Sequence, residues 1–125
     1  MSGLPDFETP NLAAAVERLA PNLIDALPFG AIRLDSSGMV ASFSRIEASQ
    51  SGYGARAAVG RHFFTEIAPC MDNESFRGRI DRALAAGVLD IAFTHIGDFA
   101  DRGRTLDVRV QSATGGGCWI FLQRA

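Results

Sequence analysis

The sequence predicts an α+β domain: a five-stranded antiparallel sheet with helices on one face and an N-terminal helical cap on the other. Strand patterns stand in two groups, a pair in the first third of the chain and three at its end, and the stretch between them has no strand pattern. The last strand is apolar in both alternating sets, Cys118, Ile120, Leu122 and Trp119, Phe121, which is the pattern of a strand covered on both faces.

Taken in order, Pro10 after Thr9 marks a helix start, with Leu12, Val16 and Leu19 on one face until Pro21. A second short helix follows through Leu23 and Leu27, and together the two form the cap. Ala31 to Asp35 and Met39 to Ser44 read as a hairpin across Ser36-Ser37-Gly38, where the glycine is free to take positive φ. Beyond the patternless stretch, Asp72 or Asn73 caps a helix with Phe76, Ile80, Ala83 and Leu84 on one side, ended by Gly87. Three strands close the chain: Leu89 to Ile96, Thr105 to Gln111 and Cys118 to Gln123. Gly115-Gly116-Gly117 lacks the strand, helix and lysine context of a phosphate loop and reads as a turn.

A chain of 125 residues, 47% of them apolar, fits one domain, divided here into a cap, 1–28, and a core, 29–125. Its apolar stretches are too short to span a bilayer, and Met1 to Leu12 has neither a basic head nor an apolar core. The expectation is a cytoplasmic protein with no membrane partner, whose two cysteines are thiols rather than a disulfide. All twelve basic residues are arginines, scattered along the chain at a net charge of −2, which argues against nucleic acid. Without lysine there is no Schiff base to retinal, pyridoxal or a carbonyl substrate. His62 and His95 are too few, and too far from any cysteine cluster, for a zinc site, so no metal is expected.

Two strands, a helical excursion and three strands is the order of a PAS domain, a sensory module with a ligand cavity between sheet and helices. The motifs narrow the likeness. Leu27-Pro28-Phe29-Gly30-Ala31-Ile32, then Leu34-Asp35 and Gly38, then Gly60, Phe63-Phe64 and Ala68-Pro69-Cys70 with Asp72, and finally Trp119, Phe121 and Arg124, resemble the photoactive yellow protein family. Even spacing holds from about Leu27 to Phe93, and one gap near the last hairpin aligns the rest.

The resemblance implies a blue or near-ultraviolet photoreceptor that signals to a downstream protein and is not an enzyme. It implies p-coumaric acid (4-hydroxycinnamic acid) bound as a thioester to Cys70, with a protonated Glu47 as donor to the buried phenolate. It places Phe43, Ser51, Tyr53, Ile32, Phe63, Ala68, Pro69 and Met71 around that group. The chemistry is coherent: the thiol must be accessible when acylated, and the finished ester needs a dry pocket. A buried glutamic acid donates only while protonated, which burial promotes, and light-driven trans–cis isomerisation followed by loss of its proton leaves an unpaired buried carboxylate that loosens the fold.

Away from the resemblance the same residues read more plainly. A lone cysteine is usually a small packed hydrophobe, a glutamate usually sits on the surface, and a serine before Gly52 is usually a turn residue. Cys118, inside a strand, is expected only to pack. Two other functions fit those readings: a light-independent PAS module that senses a small ligand or a protein partner, and a cysteine-nucleophile hydrolase, for which neither histidine stands in a recognisable catalytic setting. The departures from the family bear on colour. Phe43 stands where a tyrosine is usual, which removes a phenolate donor worth about 1.5 to 3 kcal/mol and predicts a mixture of neutral and anionic forms in the dark. Tyr53 replaces a lid arginine, and Gly97 and Asp101 replace a phenyl group and a methionine in the lid loop.

Overall fold

The computed structural model describes residues 4–51, 53, 57–87, 89–97 and 103–124. Five antiparallel strands, β1 (Gly30–Leu34), β2 (Val40–Phe43), β3 (Asp90–Ile96), β4 (Thr105–Ser112) and β5 (Cys118–Arg124), lie in the spatial order β2-β1-β5-β4-β3. The first and last strands of the chain therefore pair at the centre, Ile32 opposite Ile120 and Gly30 opposite Leu122.

Strand alternation sorts the core into two layers. On the inner face Ile32, Leu34, Leu106, Val108, Val110, Cys118, Ile120 and Leu122 pack with Phe63, Ile67, Met71, Phe76 and Ile80 from the connecting helices. On the outer face Ala31, Trp119 and Phe121 pack with Phe7, Leu12, Val16, Leu27 and Phe29 of the N-terminal segment. Both expected faces of the last strand are thus covered, in a domain of α+β class.

The hairpin forms as expected. Asp35 Oδ1 accepts from the amides of Ser37 (2.8 Å) and Met39 (3.0 Å), and Gly38 closes the turn at φ 85°. In the cap, α1 (Leu12–Glu17) starts two residues later than Pro10 suggested, because Asn11 sits at φ 51° and Asp6 with Thr9 folds its own turn ahead of it. The second helix, α2 (Pro21–Ile24), ends before Leu27, which is buried in the outer layer instead. The helix before β3, α4 (Arg77–Ala85), also starts late: Asn73 Oδ1 accepts from the amides of Ser75 and Phe76 in a separate turn. Phe76 and Ile80 are buried, but Leu84 is exposed.

Two features fill the patternless stretch. Helix α3 (Arg45–Gln50) follows β2 directly, and Phe63–Ile67 form one wide turn of π-helix, closed by the Ala68 amide donating to Phe63 O at 2.7 Å. Pro69 keeps Ala68 out of the helical region (φ −129°, ψ 63°), so the chain breaks there and makes a single 3-10 turn, Pro69–Met71.

Polar pins hold the cap to the sheet. Arg109 donates to Phe7 O (2.7 Å) and Thr9 O (2.8 Å), and Gln111 Oε1 accepts from the Ala13 amide at 2.7 Å. Glu17 accepts from Trp119 Nε1 (2.9 Å) and from the Thr114 amide and hydroxyl (3.0 and 2.7 Å). Partial burial alone would raise the Glu17 pKa. The donors from Thr114 and Trp119 and the charge of Arg33 outweigh burial and hold it below the ordinary value.

A carboxyl with a depressed folded-state pKa stabilises above its unfolded pKa and loses that contribution as pH falls through the folded value. Glu17→Ala should therefore lower the unfolding free energy by about 1 to 2 kcal/mol at neutral pH. In urea unfolding at a series of pH values, its gap to the parent should close below roughly pH 4. A gap that stays constant well below that pH would mean that Glu17 acts through packing alone.

Candidate functional site

Helix α3 is six residues long, far too short to persist by itself, and its position is fixed from outside. Ser44 Oγ accepts from the amides of Ala31 (3.0 Å) and Glu47 (3.4 Å), tying the helix start to β1. Asp25 Oδ1, at the end of α2, accepts from the Arg45 amide at 2.9 Å. At the other end Arg104 Nη1 donates to Gln50 O at 2.7 Å.

So held, α3 buries Glu47 completely. Both carboxylate oxygens accept from one guanidinium, Arg124 Nη1 to Oε1 at 2.9 Å and Nη2 to Oε2 at 2.8 Å, and the two side chains are 0% and 4% exposed. This is the fork-to-fork geometry that makes an arginine–carboxylate pair strong and directional. Arg124 comes from the inner-face register of β5, two residues beyond Leu122. Gly30 makes the space, since a Cβ there would overlap Glu47 Oε1.

The other predicted site residues fall into two groups. Ile32, Tyr53, Phe63, Ala68 and Met71 lie in one inner-face apolar cluster, against which Phe43 packs half-buried, its ring centroid 5.8 Å from that of Tyr53. Ser51 is buried at the end of α3, and its Oγ accepts from the Tyr53 amide at 3.1 Å, so it sets the path of the chain into Tyr53. Pro69 and Cys70 are exposed on the 3-10 turn, whereas Ala68 and Met71 on either side of them are buried. Gly97 ends β3 with its amide on Arg104 O at 2.8 Å, and Asp101 lies outside the described residues.

The two cysteines differ sharply. Cys118 is buried on the inner face of β5, and burial pushes its thiol up to about 12. Neither histidine lies idle: His62 Nδ1 accepts from the Thr65 amide at 3.3 Å to start the π turn. His95 packs its ring edge-on to Phe76 at 5.2 Å, and burial with the nearby Arg79 charge lowers its pKa.

The match to known proteins runs the length of the chain. It is 33% identical over 119 residues, 94% of this chain and 95% of the relative, to the photoactive yellow protein of Rhodothalassium salexigens. The chain belongs to the photoactive yellow protein family. The photoactive yellow protein of Cereibacter sphaeroides is 31% identical, with 83% of this chain and 85% of the relative covered. Among solved structures, the photoactive yellow protein domain of a sensor histidine kinase from Rhodospirillum centenum superposes with a TM-score of 0.77 at 34% identity, over 89% of this chain and 98% of that one. A PAS domain from Haloarcula marismortui shares the fold, with a TM-score of 0.59 at 16% identity over 84% of this chain and 93% of that one. No protein-family model matches the chain.

Sequence reasoning missed the tie between Glu47 and Arg124. The signal was present: Cys118, Ile120, Leu122 and Arg124 share one register, so the arginine is the single charge in an otherwise apolar inner row. Since only the thiolate reacts, iodoacetamide at pH 8 should modify the native protein once, on Cys70, and reach Cys118 only after denaturation. Equal labelling of both cysteines in the native protein would place the inner face of β5 in contact with solvent.

Proposed function

We propose that this protein is a cytoplasmic blue or near-ultraviolet photoreceptor, with residues 1–28 as a cap on a light-sensing core of residues 29–125. In this reading Cys70 carries p-coumaric acid as a thioester, and the buried carboxyl of Glu47 meets the phenol end. The observation that carries it is the exposed Cys70 thiol, set between two residues buried in the inner core, in a chain of the photoactive yellow protein family. The residues suit such a group: a reachable thiol, apolar walls from Ile32, Phe63 and Met71, and a desolvated carboxyl for a phenolic hydroxyl.

When bound, a p-coumaroyl thioester supplies a double bond that light isomerises from trans to cis and a phenol whose proton affinity changes with it. The chain does the rest. Pro69 stiffens the turn that presents Cys70, and Tyr53 and Phe43 lay their rings over the inner layer. After isomerisation Glu47 would give its proton to the phenol end, and the buried carboxylate this leaves is costly enough to loosen α3 and what it holds. The protein turns over no substrate; it passes this loosening to a signalling protein.

Mixing the apoprotein with p-coumaric anhydride should add the mass of one coumaroyl group and give a coloured, light-responsive product, whereas Cys70→Ala should gain neither mass nor colour. A label found on Cys118, or a loaded protein whose spectrum ignores light, would sink the reading. Phe43→Tyr should move dark absorbance from the near-ultraviolet toward the blue, because its hydroxyl is a stronger donor to a phenolate than to a phenol. A single added donor corresponds to about one to two pKa units in a titration followed at both bands. An unchanged midpoint would mean that Phe43 does not face the phenol.

A further inference from the structure

We propose that the open edge of β3 is a docking site for an extended acidic segment of a partner protein, which joins the sheet as a further strand. The surface lies apart from Cys70 and Glu47, and the argument for it does not rest on the photoreceptor reading.

The two edges of the sheet are treated differently. β2 is four residues long, and its register to β1 shifts between Arg33 and Leu34. Its outer side is taken at Val40, whose amide donates to Arg61 O (2.8 Å) and whose carbonyl accepts from the Gly60 amide (2.9 Å). β3 is seven residues long and runs opposite β4 from Asp90 to Ile96 without a break in register. It holds no proline and no lysine, and Ile96 at its end is 72% exposed. Bulges, prolines, lysines and short strands are the usual guards of an edge, because unpaired backbone groups template another strand.

The ladder identifies those groups. Ahead of the strand Leu89 O accepts from the Ser112 amide (3.1 Å), and beyond it the Gly97 amide donates to Arg104 O (2.8 Å). Antiparallel bonding alternates, so Ile91, Phe93 and His95 turn their backbone to β4, whereas Asp90, Ala92, Thr94 and Ile96 turn theirs outward. Among the described residues nothing bonds to these outward amides and carbonyls.

Charge selects the occupant. A groove between α4 and this edge is lined by Arg79, Arg82, Ala83, Ile91, Ala92 and Phe93. The Arg79 guanidinium lies 4.8 Å over the Phe93 ring and has no carboxylate partner among the described residues. Arg82 meets Glu74 at 2.7 Å, but both side chains are exposed, and water keeps such a pair weak. The other face of the strand has the opposite sign, with Asp90 on it and Asp107 within 3.3 Å of the Thr94 hydroxyl. A fitting strand therefore carries acids on the row beside α4 and apolar side chains on the row beside Ala92 and Ile96. Main-chain bonds hold such a strand, and its alternate side chains select it. A second copy would bring its own Arg79 and Arg82 to the same seam, like charge against like. The groove also leads inward: Phe93 meets Phe76 edge-on at 5.4 Å, and Phe76 meets Phe64 of the π turn at 6.2 Å.

The test follows the isotope-labelled full chain by NMR as a capped octapeptide of alternating glutamate and valine is added, with the lysine and valine octapeptide as control. The acidic peptide should shift the amides of Ala92, Thr94 and Ile96 saturably and slow their hydrogen exchange at least about fivefold. Arg79→Gln combined with Arg82→Gln should weaken binding about three- to tenfold, the size of two exposed ion pairs. Ala92→Pro removes an outward amide and no ladder bond, and should abolish binding. The lysine peptide should leave the strand unmoved. No saturable shift with the acidic peptide, shifts confined to other elements, equal binding of the lysine peptide, or an affinity indifferent to the loss of both arginines overturns the proposal. A parent chain that sediments as a dimer, with Ala92→Pro a monomer, gives the edge to a second copy and overturns it too. If Ala92→Pro does not fold, the arginine variant and the two peptides decide.

Discussion

The buried pair of Glu47 and Arg124 is the interaction on which the arrangement of this protein turns. Two charges withdrawn from water are tolerated only in near-ideal geometry, and breaking such a pair typically destabilises by about 3 to 5 kcal/mol. The constraint spreads outward from there. β5 must run in register to its last turn to deliver the guanidinium, α3 must sit on β1 to deliver the carboxylate, and position 30 must have no side chain. Because the first and last strands are central neighbours, one interaction joins residues 77 positions apart and closes the inner layer at its end.

The outer layer solves a different problem. An aromatic and aliphatic face made of Phe7, Leu12, Val16, Leu27, Phe29, Trp119 and Phe121 would hold the N-terminal segment in place loosely, since the hydrophobic effect has no direction. The polar groups supply direction. Arg109 and Gln111 stand at alternate positions of β4 and bind backbone groups of the arriving segment, and Glu17 reaches back to the indole of Trp119. Each turns an apolar contact into a single docked geometry.

Much of this was legible in the sequence, and the reasons differ by element. The sheet could be read because alternation is a local property: the double apolar pattern of Cys118 to Leu122 requires two covered faces wherever the strand lies. The hairpin could be read because Asp35 and Gly38 carry their turn chemistry with them. Helix starts were read poorly, at Asn11 and again at Phe76, because side-chain turns ahead of each helix compete for the same backbone amides. Each of α3 and the π turn has a local cap, Ser44 on the Glu47 amide and His62 on the Thr65 amide, but neither has an apolar period long enough to read, and α3 is also held by Asp25 and Arg104 from elsewhere in the chain. At the site, the motifs pointed to Cys70, Glu47 and the walls, but whether Glu47 is met by water, a phenol or a cation depends on what lies opposite it in space. Arg124 is far away in sequence and was noticed only as part of a matching chain end.

The bond from the Arg45 amide to Asp25 runs around the β1–β2 edge of the sheet, from the first residue of the helix that carries Glu47 to the last turn of the N-terminal segment. A twisted sheet is stiff, and a disturbance on one of its faces is poorly felt on the other through the strands themselves. This bond bypasses the strands. A rotation of α3 by a fraction of a turn swings the Arg45 amide away from its acceptor and leaves the Asp25 carboxylate in search of another donor. The two faces are thus geared together at one tooth, outside the hydrophobic layers, where motion meets the least resistance.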